Sequence, residues 1–448
     1  MKRKLSVLLI LVLMLTTLAG CGKKSNETTN EEVSNSETNN SSNNSNENSS
    51  SAETITLKWA VWDINATTYY QPLIDTYEAL NGNVKIEMVD LGSTDYMTVL
   101  ATELTGNDSD IDIATIKDIP GYATLVGKNA LEPLDDSIAN ADIDLSLYGG
   151  ITDQIIINDK LFALPFRSDF WVLYYNKDIF DKAGVDYPTN DMTFEQYDAL
   201  ARSVTDTTMG SQVYGGHYHT WRSAVQLFGI LDGKNSIVGG AYDFLKPYYE
   251  LVLAQQKDQV VQDYATLKTS SLHYSGAFAQ GNVAMMNMGS WFIPTLTEKI
   301  KTGEYTDIKN WGIVKYPHAE GVEPGSTLAT ITSLAVTSAS KQKEAAFDFL
   351  NFVCGKHGAE VIAETGTIPA IKTDAVVESI AGIEGFPTDE ASKEALITAN
   401  TYLEMPVHEH SSEIETILNT AHDNIMSGNS TIDEGIDYMN TEVQKLLK

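Results

Sequence analysis

The chain has 448 residues, a length that suggests two or three domains with sizeable cores. Thirty Lys and Arg against 61 Asp and Glu give a formal charge of −31, a surface that repels nucleic acid, so no nucleic-acid partner is expected. Two cysteines, Cys21 and Cys354, are too few for a disulfide scaffold or a zinc centre built from several thiolates, and no run of about 20 apolar residues is present to span a bilayer.

Lys2-Arg3-Lys4 followed by the apolar run Val7 to Leu15 has the layout of a secretory signal, too short to cross the hydrocarbon core. Without those three cations the charge is −34. Leu18-Ala19-Gly20-Cys21 is similar to the bacterial lipobox, which implies a signal peptide over residues 1–20 and diacylglycerol and palmitate on Cys21, more than one acyl chain and hence a stable anchor. Residues 25–52 hold nine Asn and nine Ser but only Val33 and Ala52 as apolar side chains, so 21–52 reads as a lipidated cysteine with a disordered tether. Such a coil averages roughly 30 Å end to end and reaches about 100 Å when stretched. The expected location is the extracellular face of a membrane, in a Gram-positive cell.

From residue 53 strand and helix patterns alternate. Ile55, Leu57, Trp59 and Val61 form a period-two strand ending at Trp62-Asp63; Tyr70, Leu73, Ile74 and Tyr77 form a helical stripe that Asn81-Gly82 stops. Val84, Ile86 and Met88 mark a second strand, Met97, Leu100, Ala101 and Leu104 a second stripe, and Ile111 to Ile116 a third strand. This order predicts a parallel α/β sheet, with the loops at Trp62-Asp63 and Lys117-Asp118 opening at one edge. Further on come a strand from Trp171 to Asn176, a helix from Thr193 with Gln196 completing a capping box, a strand from Ile331 to Thr337, and a helix after Ser340 that ends near Gly355. Cys354 at that helix end reads as a packed side chain, and the section from about 411 as helical.

Leu164-Pro165, Leu173 to Phe180, Ala183-Gly184-Val185, Pro188 and Thr193 to Gln196 are followed by Phe278 to Met286 with Gly289-Ser290-Trp291, and by Ala345 to Phe352 with Gly366, Ile368 and Pro369. Taken together these blocks closely resemble the extracellular solute-binding proteins of bacterial ABC importers, of the maltose-binding, family 1 type. The family usually has Trp where Phe194 stands. The resemblance implies two discontinuous α/β lobes of the type II periplasmic-binding-protein fold, 53–166 plus 333–368 and 167–332 plus 369–448, joined by hinge strands near Phe166–Phe170, Thr327–Ser333 and Thr367–Ile371. It also implies a carbohydrate ligand of two or more rings held in the cleft, ABC permease subunits as partners, a monomer, no cofactor and no enzymatic activity.

A sugar site needs aromatic plates for stacking and planar polar groups for bidentate hydrogen bonds. The candidates are Trp62 and Asp63 after the first strand, Lys117 and Asp118 after the third, Arg167 and Asp169 at the first hinge crossing, Tyr218 and Trp221 in His217 to Arg222, and Trp291. Asp169 stands by alignment where the maltose-binding type has a ligand-binding carboxylate, and Arg167 also reads as a structural ion pair to it. Asp169 and Trp291 are expected to matter for binding and little for the ligand-free fold, while Trp59, Trp171 and Trp311 are assigned to the core. Two His-x-His pairs, His217/His219 and His408/His410, lack a third ligand at a recognisable spacing, so no metal is expected. The rivals are a secreted glycoside hydrolase using Asp63 and Asp169, a binding protein for a non-sugar polar solute, and a chemoreceptor partner on the same fold.

Overall fold

The period-two alternation of residues 55–61 becomes strand β1 (Ile55–Val61), whose inward residues Leu57, Trp59 and Val61 are fully buried. The computed structural model describes residues 54–448 apart from 65, 66, 93, 94, 107, 209, 211 and 372; the signal segment, Cys21 and the tether lie outside the described residues. The stripe Tyr70, Leu73, Ile74 and Tyr77 is the buried face of the helix Tyr70–Leu80. Trp59 receives Tyr70 and Phe349 edge-on at 5.1 and 5.2 Å and donates its indole N–H to Thr115 Oγ1 at 2.8 Å, so its one polar atom is satisfied inside the core. β2 (Val84–Asp90) and β3 (Ile113–Ile116) both pair parallel with β1.

The sheet is mixed, not parallel throughout. β7 (Thr327–Val336) runs antiparallel to β3 on one side and to β4 (Leu164–Asn176) on the other. Parallel neighbours need a crossover between them. The helices Tyr70–Leu80 and Tyr96–Thr105 supply it for β1, β2 and β3, whereas β7 comes from a distant part of the chain and enters in the opposite direction.

β4 joins two sheets. Its residues up to Phe170 pair with β7, and those from Trp171 on pair antiparallel with β5 (Met285–Gly289) and β6 (Trp311–Lys315). A short strand β8 (Thr401–Leu403) lies parallel beside β7 at Thr327 to Ala329, and Arg167 bridges to Pro369. Three stretches of chain therefore run side by side where one sheet gives way to the other. Beyond the junction, Phe170, Val172, Tyr174, Met286, Met288, Phe292 and Ile313 form a core of their own.

The capping box at Thr193 and Gln196 is formed reciprocally, at 2.8 and 3.3 Å, and starts the helix Phe194–Val204. Cys354 ends the helix Lys343–Cys354, 2% exposed with Sγ 3.2 Å from the Leu164 carbonyl; burial pushes its thiol pKa far up and keeps it an unreactive packed side chain. Trp59, Trp171 and Trp311 are all buried, as expected. Residues from 411 form the helices Ser411–Met426 and Ile432–Leu446.

Candidate functional site

Asp63, just past β1, has φ 51°, a left-handed turn that Asp tolerates, and an exposed side chain. Trp62 beside it is only 9% exposed: Tyr96 meets it edge-on at 4.8 Å and the Lys117 ammonium lies 5.3 Å from its ring centre. With one face under a cation and little surface left, Trp62 lacks the open plate expected of a stacking residue. Asp118 caps the helix Ile119–Gly127, its Oδ1 accepting from the Gly121 N–H at 2.7 Å, and burial raises its pKa above the usual carboxylate range.

At the junction of the sheets Arg167 Nε lies 2.8 Å from Asp169 Oδ2, and Arg167 Nη1 donates to the Tyr69 hydroxyl at 3.1 Å. Asp169 is 1% exposed and accepts the Ser290 hydroxyl at 3.0 Å. A carboxylate buried this deeply beside its counter-ion is part of the fold's framework, which corrects the expectation that it adds little to the ligand-free protein.

Ser290 leads directly to Trp291. A Cβ on Gly289 would fall 2.1 Å from the Trp291 ring, so glycine at that position lets the indole fold back over the end of β5. Trp291 meets Trp171 edge-on at 5.8 Å and Trp221 at 6.3 Å, and Trp221 meets Tyr274 at 5.6 Å and His219 at 4.4 Å. Half-buried Trp291 also packs against the core, which bears against the expectation that it matters little for the ligand-free fold. Trp221 is the exposed member at 39%. Tyr218 is 4% exposed and donates to Gln255 Oε1 at 2.8 Å, so it belongs to the packed interior and not to a ligand surface.

Arg222 follows Trp221 in the chain. It is 2% exposed and donates from Nε and Nη2 to the two oxygens of Glu415 at 2.8 and 2.6 Å. Beside it lies a cavity of about 370 Å³, lined by Asp118, Arg222, Thr330, Glu404 and Glu415 with apolar walls that include Ile119, Ile331 and Met405. Thr330 is the β7 partner of Asp169 and donates its hydroxyl to Glu404 at 2.8 Å. Trp221 directly precedes Arg222 in the chain and Asp169 pairs with Thr330, so the aromatic cluster lies near this depression, although none of its rings lines it. The cavity's size falls within the range of small-molecule sites.

Residues 62–360 match the family model of bacterial extracellular solute-binding proteins. The chain belongs to that family. A crystal structure of a sugar transporter from Rhizobium etli, in an open conformation, is similar at 52% identity and TM-score 0.81, covering 87% of this chain and 99% of that one. An ABC substrate-binding protein of Listeria monocytogenes, solved with cycloalternan, has TM-score 0.74 at 21% identity over 88% of this chain and 99% of that one. A putative binding protein of Brucella abortus is 23% identical over 73% of this chain and 79% of its own length. The fold is therefore the two-lobed type II fold of these binding proteins, its lobes joined by hinge strands.

In this solute-binding protein Asp118 lines the cavity, Arg167 and Asp169 pair at the junction of the sheets, Trp221 and Trp291 meet in the aromatic cluster, Trp62, Lys117 and Asp63 stand at the ends of β1 and β3, and Tyr218 is in the core. Sequence reasoning missed Glu404 and Glu415 altogether. Arg222 stood at the end of the aromatic segment His217 to Arg222, and its being one of only three arginines after Arg3, with Arg167 and Arg202, was the signal that pointed to it without a role. Among the described residues no group of three or more His, Cys, Asp and Glu is arranged to hold a metal ion. His217 and His219 are instead pushed down by burial, to about 3 and about 4.

Proposed function

We propose that this chain captures a carbohydrate of two or more rings between two lobes, 53–166 with 333–368 and 167–332 with 369–448, and delivers it to an ABC permease as a monomer, without chemistry of its own. The observations that carry this reading are the ring cluster of Trp221, Trp291 and Tyr274 and, from the next residue Arg222, a depression lined by carboxylates and an arginine. Flat apolar C–H faces of a sugar ring suit the former, and its hydroxyls the latter. Solved relatives described as a sugar transporter and as a cycloalternan complex support it. Strand β4, passing between sheets near Phe170, is suited to bend as the lobes close on ligand.

A thermal-shift screen of neutral di- and oligosaccharides tests the reading: at least one is expected to raise the melting temperature, and stabilisation by non-sugars alone would overturn it. Trp221→Ala is expected to weaken sugar binding by roughly ten- to a hundred-fold in a calorimetric titration, with a ligand-free stability loss of about 1–2 kcal/mol from its ring contacts to His219 and Tyr274.

The lipid anchor belongs to the same proposal. Cys21 follows small residues at the end of an apolar segment and precedes a polar tether, so palmitoylated Cys21 would hold the protein on the extracellular face of a Gram-positive membrane. Among the described residues no helix is long and apolar enough to cross a membrane. Cys21→Ala is expected to release the chain into the medium, as read by immunoblot of cell and medium fractions; retention in the membrane fraction would point to another anchor.

A further inference from the structure

The cavity beside Arg222 has a charge imbalance that narrows the class of solute. Three carboxylates line it, Asp118, Glu404 and Glu415, against one guanidinium. That guanidinium is already committed through Nε and Nη2 to Glu415. Burial also raises the pKa of both Asp118 and Glu404, so placing charge here is unfavourable even without a ligand. A phosphate or carboxylate brought into this space would lose its hydration beside anions and would have to compete with Glu415 for the one cation.

One donor of this lining residue has no partner. Arg222 Nη1 is buried, on a side chain 2% exposed, and has no hydrogen-bond partner. A buried N–H of this kind is costly unless a ligand or water oxygen meets it. Nη1 is closed to solvent here, so a solute hydroxyl meets it only after the side chain shifts; that hydroxyl then donates in turn to a carboxylate, which a carboxylate or fully ionised phosphate group cannot do. An ammonium would pair directly with Asp118 or Glu404.

We propose that this cavity is a charge-selecting subsite: it takes a hydroxyl or amino group of the solute and excludes phosphorylated and uronic-acid solutes. The inference rests on the carbohydrate reading for the nature of the solute, but its charge selection stands on the cavity's own residues. The acidity of the whole chain, −31, acts in the same direction at long range.

The test is a titration of the mature protein with charge-matched probes at fixed ionic strength: maltose, cellobiose and mannobiose; the glucosamine disaccharide; a glucuronate-terminated disaccharide and maltose phosphate; spermidine and glycerol 3-phosphate as non-sugars. Neutral or amino sugars are expected to bind at least about tenfold more tightly than their anionic counterparts. An anionic probe binding as tightly as its neutral counterpart, or glycerol 3-phosphate binding best, overturns the proposal. Binding of spermidine but of no sugar supports the charge selection while removing the carbohydrate reading, so the two fail separately. Glu404→Gln, checked for an unchanged ligand-free melting temperature, is expected to narrow the neutral-to-anionic ratio about threefold or more. An unchanged ratio in that folded variant also overturns the proposal.

Discussion

Replacing Asp169 with alanine is expected to cost about 3 kcal/mol of stability in the ligand-free protein, the lower end of the range for removing one partner of a buried ion pair. The carboxylate is 1% exposed and lies 2.8 Å from Arg167 Nε, while Arg167, at 20% exposed, can recover part of its solvation. Losing the carboxylate also strands the Ser290 hydroxyl that donates to it, and Ser290 Oγ in turn accepts the Phe170 N–H at 3.2 Å at the point where β4 leaves one sheet for the other. Denaturant titration of Asp169→Ala beside Asp169→Asn separates the contributions. The asparagine variant keeps an acceptor for Ser290 and loses only the charge, so it should be the milder of the two. Wild-type stability in the alanine variant would mean that the pair is solvated and framework-neutral.

Acidification should destabilise the fold from about pH 6.5 downward, before carboxylates of ordinary pKa titrate. Burial holds His217 and His422 at about 3 and His219 at about 4, against 6.5 for an unperturbed histidine. The unfolded chain takes up protons on these three rings as the pH falls below 6.5, and the folded chain does not until about pH 4, so stability is complete above 6.5 and declines through that window. Each ring contributes on the order of 2 kcal/mol of lost stability between pH 6.5 and 5. Asp118 and Glu404, whose pKa values are raised by burial, work against the loss by binding protons in the folded state first. The expected net result is a melting temperature that falls steadily from pH 7 to pH 5, with a shallower slope in His217→Leu. A flat profile over that range would show that these rings are hydrated or paired in solution.

Local signals carried the elements well. Alternation gave β1 and β2, helical stripes gave Tyr70–Leu80 and Phe194–Val204, and the Thr193/Gln196 box gave a helix start, because each depends on residues a few positions apart. The direction of β7 was not legible, since strand polarity within a sheet depends on how distant segments meet and leaves no mark on the strand's own pattern. The same distance hid the cavity: Arg222 and Glu415 are 193 residues apart, and Thr330 and Glu404 are 74 apart. His217 to Arg222 offers aromatic and charged residue types together, but the segment has no regular period. Nothing in the sequence separated Tyr218, which turns inward to Gln255, from Trp221, which faces solvent. Glycine at 289 was recognisable as a motif, and its reason, the Trp291 ring lying against it, required the fold.

The most direct measurement is a crystal structure of the mature protein grown with a disaccharide that stabilises it. Expected is one sugar in the depression, a ring face against Trp221 or Trp291 and a hydroxyl within hydrogen-bond distance of Arg222 Nη1 or of Glu404. A sugar bound elsewhere, with these aromatic faces and Arg222 left untouched, would contradict the assignment of the site.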